Sequence, residues 1–160
     1  FEMTTFGNFA FWFGFITFVL LFILVSIRHV KFTQIPDPAK PLICIYTAPL
    51  SLCIAGYIQS VTPKSLNFVI AMLIVATAIY VFALIQAIKC LKFAFYPSFA
   101  SFTFPFVISA IATKQTMAFA AKQEVVLPLI KYLVIFETVV AVAFVVYTFI
   151  GFMKFIFVKK

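Results

Sequence analysis

The sequence contains few of the residues on which enzyme chemistry depends. Only 10% of its 160 residues are charged, four residues are acidic, and there are one histidine, three cysteines and four glycines. No Cys/His/carboxylate cluster has the spacing of metal ligands, and the glycines are too scattered to form a phosphate-binding loop. We therefore expect no catalytic residues, no metal site and no cofactor, and we do not expect an enzyme.

Apolar residues make up 66% of the chain and aromatic residues 19%. Ordinary soluble domains are about 45–50% apolar and about 25% charged. A folded chain of this length still exposes about a third of its unfolded surface. A water-soluble globule cannot hide so much apolar surface, so the sequence predicts an all-α integral membrane protein with the lipid bilayer as its solvent.

The charged residues cluster between five long runs that contain almost none. Four of these runs are close to the roughly 20 residues that cross a bilayer, and the fifth is longer because it includes Lys131 and Glu137. The predicted spans are residues 9–27, 42–61, 66–88, 93–113 and 125–153. The connections between them are short, so residues 1–160 are expected to form one transmembrane domain.

Positive charge favours one orientation in the membrane. With five spans, eight of the 12 Lys and Arg residues fall on one side and four on the other. By the positive-inside rule, the side with eight faces the cytoplasm. We therefore expect a multi-pass protein of the cell membrane, with the N-terminus of this segment outside and its C-terminus cytoplasmic. The net charge of +8 is then a topological signal, and no nucleic-acid partner is expected.

Two of the spans share a spacing of prolines. Pro41 and Pro49 are eight residues apart, Pro97 and Pro105 are eight residues apart, and the two pairs are separated by 56 residues. An interior proline kinks a helix and frees a backbone carbonyl, which at membrane depth needs a protein partner or a polar cavity. The pattern predicts that spans two and four are kinked inner helices and that spans three and five are straight outer helices. Kinks that serve packing alone remain an alternative.

Span one has no inner partner, because an inner–outer pairing joins span two to three and span four to five. We therefore expect the chain to be a fragment of a larger membrane protein.

Hydroxyl groups near the two deeper prolines are candidates for lining a narrow, weakly polar passage. A residue that precedes a proline is pushed away from helical geometry, so the phenylalanine before the second deep proline is the candidate gate. The predicted pore and gate residues are Thr47, Pro49, Ser51, Ser101, Thr103, Phe104 and Pro105.

Glu137 is an acid within a predicted span. It lies about 18 Å along the helix from the start of span five, near the middle of a hydrocarbon core of about 30 Å. A carboxyl group at this depth normally faces protein or water. Two roles stay open for this intramembrane acid. A hydrogen bond to a neighbouring helix is favoured by its place on an outer helix, and the alternative is a proton or ion role.

Three segments together resemble a known family. Ser101-Phe102-Thr103-Phe104-Pro105-Phe106, preceded by Tyr96-Pro97-Ser98, is similar to the ninth-helix signature of the tellurite-resistance/dicarboxylate transporter (TDT) family, which includes the slow anion channels of plant guard cells. Ala48-Pro49-Leu50-Ser51 resembles the Ala-Pro-x-Ser of that family's seventh helix. The resemblance covers essentially the whole chain as helices six to ten of ten.

The resemblance implies a ten-helix bundle of helical hairpins around a central pore, assembled as a homotrimer. It implies an anion channel or transporter for small anions such as C4-dicarboxylates, sulfite, tellurite, nitrate or chloride. A plugging phenylalanine of the family falls on Phe104, and the missing N-terminal half, five helices, would be a partner of this chain. The alternative, from a different class, is a non-transporting membrane scaffold or assembly subunit.

Overall fold

The computed structural model describes residues 4–32 and 34–157. All of its described elements are helical. They comprise five α-helices and two 3₁₀ helices, named η1 and η2: α1 (Thr4–Lys31), η1 (Asp37–Tyr46), α2 (Thr47–Ser60), α3 (Leu66–Cys90), η2 (Pro97–Phe102), α4 (Phe104–Lys122) and α5 (Pro128–Phe157). The predicted all-α class is confirmed for this part of the chain.

Among the described residues, four helical segments are long and apolar enough to cross a membrane. They are Thr5–Lys31, Asp37–Ser60, Leu66–Cys90 and Pro128–Phe157. These segments support the predicted membrane class and contain predicted spans one and three, all but the last residue of span two, and most of span five. The fifth helix, α4, is not among them, because Lys114, Gln115 and several hydroxyl residues lower its hydropathy.

Helix α4 packs between α2 and α5, where protein rather than lipid surrounds much of it. It runs to Lys122, whereas the sequence predicts the end of span four at residue 113 and a connection from there to residue 124. The prediction takes Lys114 as a boundary, but this side chain is exposed while Thr116 and Phe119 behind it are buried. A single lysine on the outer face therefore does not end the helix.

Helix α4 ends through its backbone rather than through a charge. Glu124 has a left-handed φ of 58°, its N–H donates to the carbonyl of Ala121, and the N–H of Val125 donates to the carbonyl of Ala120. This pair of bonds is a Schellman motif, which satisfies carbonyls at a helix end.

Two apolar clusters form the core. The first joins α1, α2, α3 and α4 and includes Ile54 and Val69, neither of which is exposed. The second joins η1, η2, α3, α4 and α5 through Phe99, Phe102 and Phe106, which are also fully buried. Along α3, the first cluster ends at Ala76 and the second begins at Tyr80. The boundary between the two clusters is where the polar groups described below are found.

Helix α1 lies at the edge of the bundle. Phe11 is its one buried side chain among residues 5–31, and it packs edge-on against Tyr57 of α2 at 5.2 Å between ring centroids. An open apolar groove of about 550 Å³ lies between the middle of α1 and residues of η1 and α2. The remaining four helices therefore form the compact part of the fold.

Candidate functional site

The two proline-bearing segments break in the same way. Each contains a Thr-x-Pro sequence, Thr47-Ala48-Pro49 in the first and Thr103-Phe104-Pro105 in the second. In both, the threonine hydroxyl donates to a carbonyl three residues earlier, at 3.2 Å to Cys44 and at 2.8 Å to Ala100. The threonine therefore marks the point where a 3₁₀ helix changes into an α-helix.

The spacing predicts that the two deeper prolines lie inside continuous α-helices. In the structure they do not. Pro49 is the third residue of α2 and Pro105 is the second residue of α4. The first N–H groups of an α-helix have no intrahelical acceptor, so a proline in the first turn costs no hydrogen bond. The predicted kinks are therefore corrected to junctions between a 3₁₀ helix and an α-helix.

The first junction is closed over by its neighbours. Thr47 is 1% exposed and Ala48 is 4% exposed. The N–H of Thr47 donates to the carbonyls of Cys44 and Ile45, so the chain continues from η1 into α2 without a gap. The carbonyl of Ile45, four residues before Pro49, thus has a partner within the backbone.

The second junction is open on one side. Thr103 has φ −84° and ψ −80°, which belongs to neither helix, so the irregular residue is one place earlier than the sequence predicts. Phe104 is 53% exposed, whereas Phe102 and Phe106 on either side of it are fully buried. Of the three rings in this motif, the predicted gate is the one that lies on the surface of the chain.

The predicted hydroxyl groups lie mainly between helices. Ser101 of η2 donates to the carbonyl of Pro41 in η1 at 2.7 Å, and the hydroxyls of Ser51 and Ser109 are 3.1 Å apart between α2 and α4. Of the seven predicted pore and gate residues, Phe104 alone is exposed. The others are buried or half-buried: Thr47, Ser51, Ser101 and Pro105 are buried, and Pro49 and Thr103 are half-buried.

Glu137 of α5 points into the bundle. It is 1% exposed and interacts with the side chain of Thr113 on α4. Its Oε2 atom and the buried hydroxyl of Tyr80 have no hydrogen-bond partner among the described residues. The gap lined by Glu137, Thr113, Ser109 and other side chains leaves no volume for a water molecule.

The sequence pattern does not predict the surroundings of Glu137. A signal does exist for its neighbours Ser109 and Thr113. Together with Pro105 they recur every four residues and so share one face of α4. Tyr80 has no comparable signal, since a tyrosine in an apolar run is equally suited to a membrane interface. In the described part of the chain, no group of three or more His, Cys, Asp or Glu residues is placed to hold a metal ion.

No protein-family model, curated protein or solved structure matches this chain. The resemblance to the TDT family therefore stays a prediction.

Proposed function

We propose that this chain forms part of the wall of a passage for small anions across the membrane, gated by Phe104. The observation that carries the proposal is the open junction at Thr103, where the helix break reaches the surface beneath an exposed phenylalanine ring. The first junction has no exposed ring of this kind, since Ala48, which takes the place of Phe104 there, is 4% exposed.

Lipid cannot be the permanent cover of this junction. Irregular backbone at membrane depth is tolerated where it is buried in protein or lines a water-filled cavity, because hydrocarbon offers it no hydrogen bonds. The first turn of α4 has N–H groups without intrahelical acceptors, at Phe104 and Phe106, and Pro105 has none to offer. A polar passage that Phe104 covers in its closed state would keep the irregular backbone away from hydrocarbon and would offer acceptors to these N–H groups.

The electrostatics of the junction favour an anion. The N-terminus of an α-helix carries a partial positive charge, and broken helices in transporters direct their N-termini toward anionic substrates. The net charge of +8 adds a positive potential that raises the local concentration of anions. The proposed substrates are small anions such as chloride, nitrate or C4-dicarboxylates.

In this proposal the rest of the passage comes from outside the described chain. The resemblance supports a ten-helix protomer and a trimer, and the charge distribution supports an external N-terminus for this segment and a cytoplasmic C-terminus.

Anion flux through the full-length protein in liposomes, measured one anion at a time, tests the proposal. Phe104→Ala should raise the flux, because it removes the ring that covers the junction. Phe149→Ala is the matched control, since Phe149 is 63% exposed but lies well inside the continuous helix α5. A well-folded Phe104→Ala protein with wild-type flux would rule out the gate. A wild-type protein and a Phe104→Ala protein that both pass no anion would favour the scaffold alternative.

A further inference from the structure

The buried carboxyl group of Glu137 is the strongest unexplained feature of the bundle. Four helices enclose it: α5 carries it, α2 contributes Ser51, α3 contributes Thr77, and α4 contributes Ser109 and Thr113. Since no water molecule fits beside it, the surrounding side chains must satisfy this group.

Each hydroxyl group around Glu137 has a backbone carbonyl within hydrogen-bond distance of its oxygen, which for Thr77 is the carbonyl of Leu73 at 2.9 Å. Ser51 donates to the carbonyl of Thr47 at 2.9 Å, Ser109 to that of Pro105 at 3.0 Å, and Thr113 to that of Ser109 at 3.1 Å. A hydroxyl has one hydrogen and two lone pairs. While these bonds hold, the three hydroxyls present only acceptors to their surroundings.

An ionised carboxylate does not fit such a setting. A carboxylate can only accept hydrogen bonds, whereas a neutral carboxylic acid has an O–H of its own to donate. While the Thr113 hydrogen is bound to the carbonyl of Ser109, the neutral acid can donate to the hydroxyl oxygen of Thr113. The arrangement of donors and acceptors therefore favours a bound proton on Glu137.

No positive charge among the described residues is placed to neutralise Glu137 instead. From α3, the titratable group that faces it is Tyr80, whose hydroxyl interacts with it electrostatically but makes no hydrogen bond. The residues that face it from α2 and α4 are neutral, and Lys114 of α4 and Lys131 of α5 are exposed. A bare charge in a dry site costs several kcal/mol at least, and a proton is the one cation small enough for a gap without room for water.

We propose that Glu137 is a proton-binding site whose bound proton holds α5 against α4, and whose release loosens α5. Helix α5 has four buried side chains, Glu137, Ala141, Phe144 and Thr148. A charge on Glu137 therefore weakens the packing at one of the few positions that hold α5 in the bundle. The site is independent of the proposed anion passage, because a proton can be detected here without any permeant ion.

Infrared spectroscopy of the purified full-length protein in lipid detects the proton directly, through the carbonyl stretch of a protonated carboxyl group. In this segment only four side chains are acidic, and Asp37 and Glu124 are exposed. At neutral pH we expect a protonated-carboxyl band that is lost in Glu137→Gln and kept in the control Glu124→Gln. Absence of that band from the wild-type spectrum would overturn the proposal.

Thr113→Val keeps the carboxyl group of Glu137 and removes the hydroxyl that accepts its hydrogen bond. This variant tests the site if Glu137→Gln does not fold. The band should shift to higher frequency in Thr113→Val, because the acid loses an acceptor. Thr138→Val is the matched control, since Thr138 is next to Glu137 in sequence but is exposed and donates to the carbonyl of Val134. A band that is unmoved in Thr113→Val would contradict the site.

Hydrogen exchange of the α5 backbone then tests what release of the proton does. As the pH rises, we expect the band to disappear and the amides around Glu137 to exchange faster in the wild type than in Glu137→Gln, which sets the baseline for the general effect of pH. The proposal fails if the band persists at every pH at which the protein stays folded. It also fails if the band disappears while wild-type and Glu137→Gln amides exchange alike.

Discussion

The two helix junctions have the same local design and different surroundings. Both carry Thr-x-Pro, both use the threonine hydroxyl in the same i to i−3 bond, and both turn a 3₁₀ helix into an α-helix. They differ at the middle residue, where Ala48 is buried and Phe104 is more than half exposed. The difference shows that local sequence sets the backbone of a junction, whereas tertiary packing decides whether the junction is closed.

The largest effect on stability should come from Phe106, which follows Pro105. Its ring is fully buried and stacks on Phe144 at a centroid distance of 4.8 Å. Phe106→Ala should lower the free energy of unfolding by about 3–5 kcal/mol, measured with a denaturing detergent in mixed micelles. Phe104→Ala in the same motif should have little effect on that free energy. Equal losses would mean that the two rings are packed alike.

Replacing the middle residue of the first junction should cause the next largest loss in the free energy of unfolding. Ala48→Phe places a ring where 4% of the present side chain is exposed, and overpacking of this kind costs about 1–3 kcal/mol. The same unfolding measurement checks it. Ala78→Phe on α3 is the control, because Ala78 is exposed. An Ala48→Phe protein as stable as the control would show that the first junction has free space around it.

The hydrogen bond between the two 3₁₀ helices should contribute less. Ser101→Ala removes the donor to the carbonyl of Pro41, and a typical intramolecular hydrogen bond contributes about 0.5–1.5 kcal/mol to stability. Ser65→Ala is a suitable control, because Ser65 is exposed and its side chain does not cap α3 with a hydrogen bond. If both variants unfold alike, the bond does not hold the two junctions together.

The prolines themselves should have the smallest effect on stability. Pro49→Ala and Pro105→Ala each free the unfolded chain and should cost about 0.4–1 kcal/mol. Under the proposed function their effects on anion flux should differ, because the exposed ring of the proposed gate, Phe104, lies at the junction of Pro105 and not at that of Pro49. Flux changed by Pro105→Ala and not by Pro49→Ala is expected, and the reverse would place the passage at the first junction.

The long charge-free runs contain much of the information about this fold. They locate the apolar helices α1, α3 and α5, and the proline spacing identifies η1–α2 and η2–α4 as a pair. The same reasoning ends span four too early, because a lysine such as Lys114 can sit on the outer face of a helix that continues inside the protein. It also places the prolines inside helices, because spacing alone does not reveal where a 3₁₀ helix becomes an α-helix.

The candidate site is less accessible to sequence reasoning. Glu137 is conspicuous because it is an acid in an apolar run, but its partners lie on other helices and their approach depends on packing. Thr113 is 24 residues away in sequence and Tyr80 is 57 residues away. A four-residue recurrence on α4 indicates a polar face, yet nothing in the sequence indicates which helix that face meets.

The loose attachment of α1 has a consequence for how its sequence can evolve. One side chain among its residues 5–31 is buried. At Gly7 the backbone of α1 passes close to α2, because an added Cβ would lie 3.3 Å from the Cβ of Ser60. The helices of this chain should therefore demand little of α1 beyond apolarity, apart from Gly7 and the aromatic side that touches α2, and further demands would come from helices outside this chain. In a library of random apolar replacements, α1 should accept more changes than any other helix, and an unrelated membrane helix that keeps these few contacts should replace it.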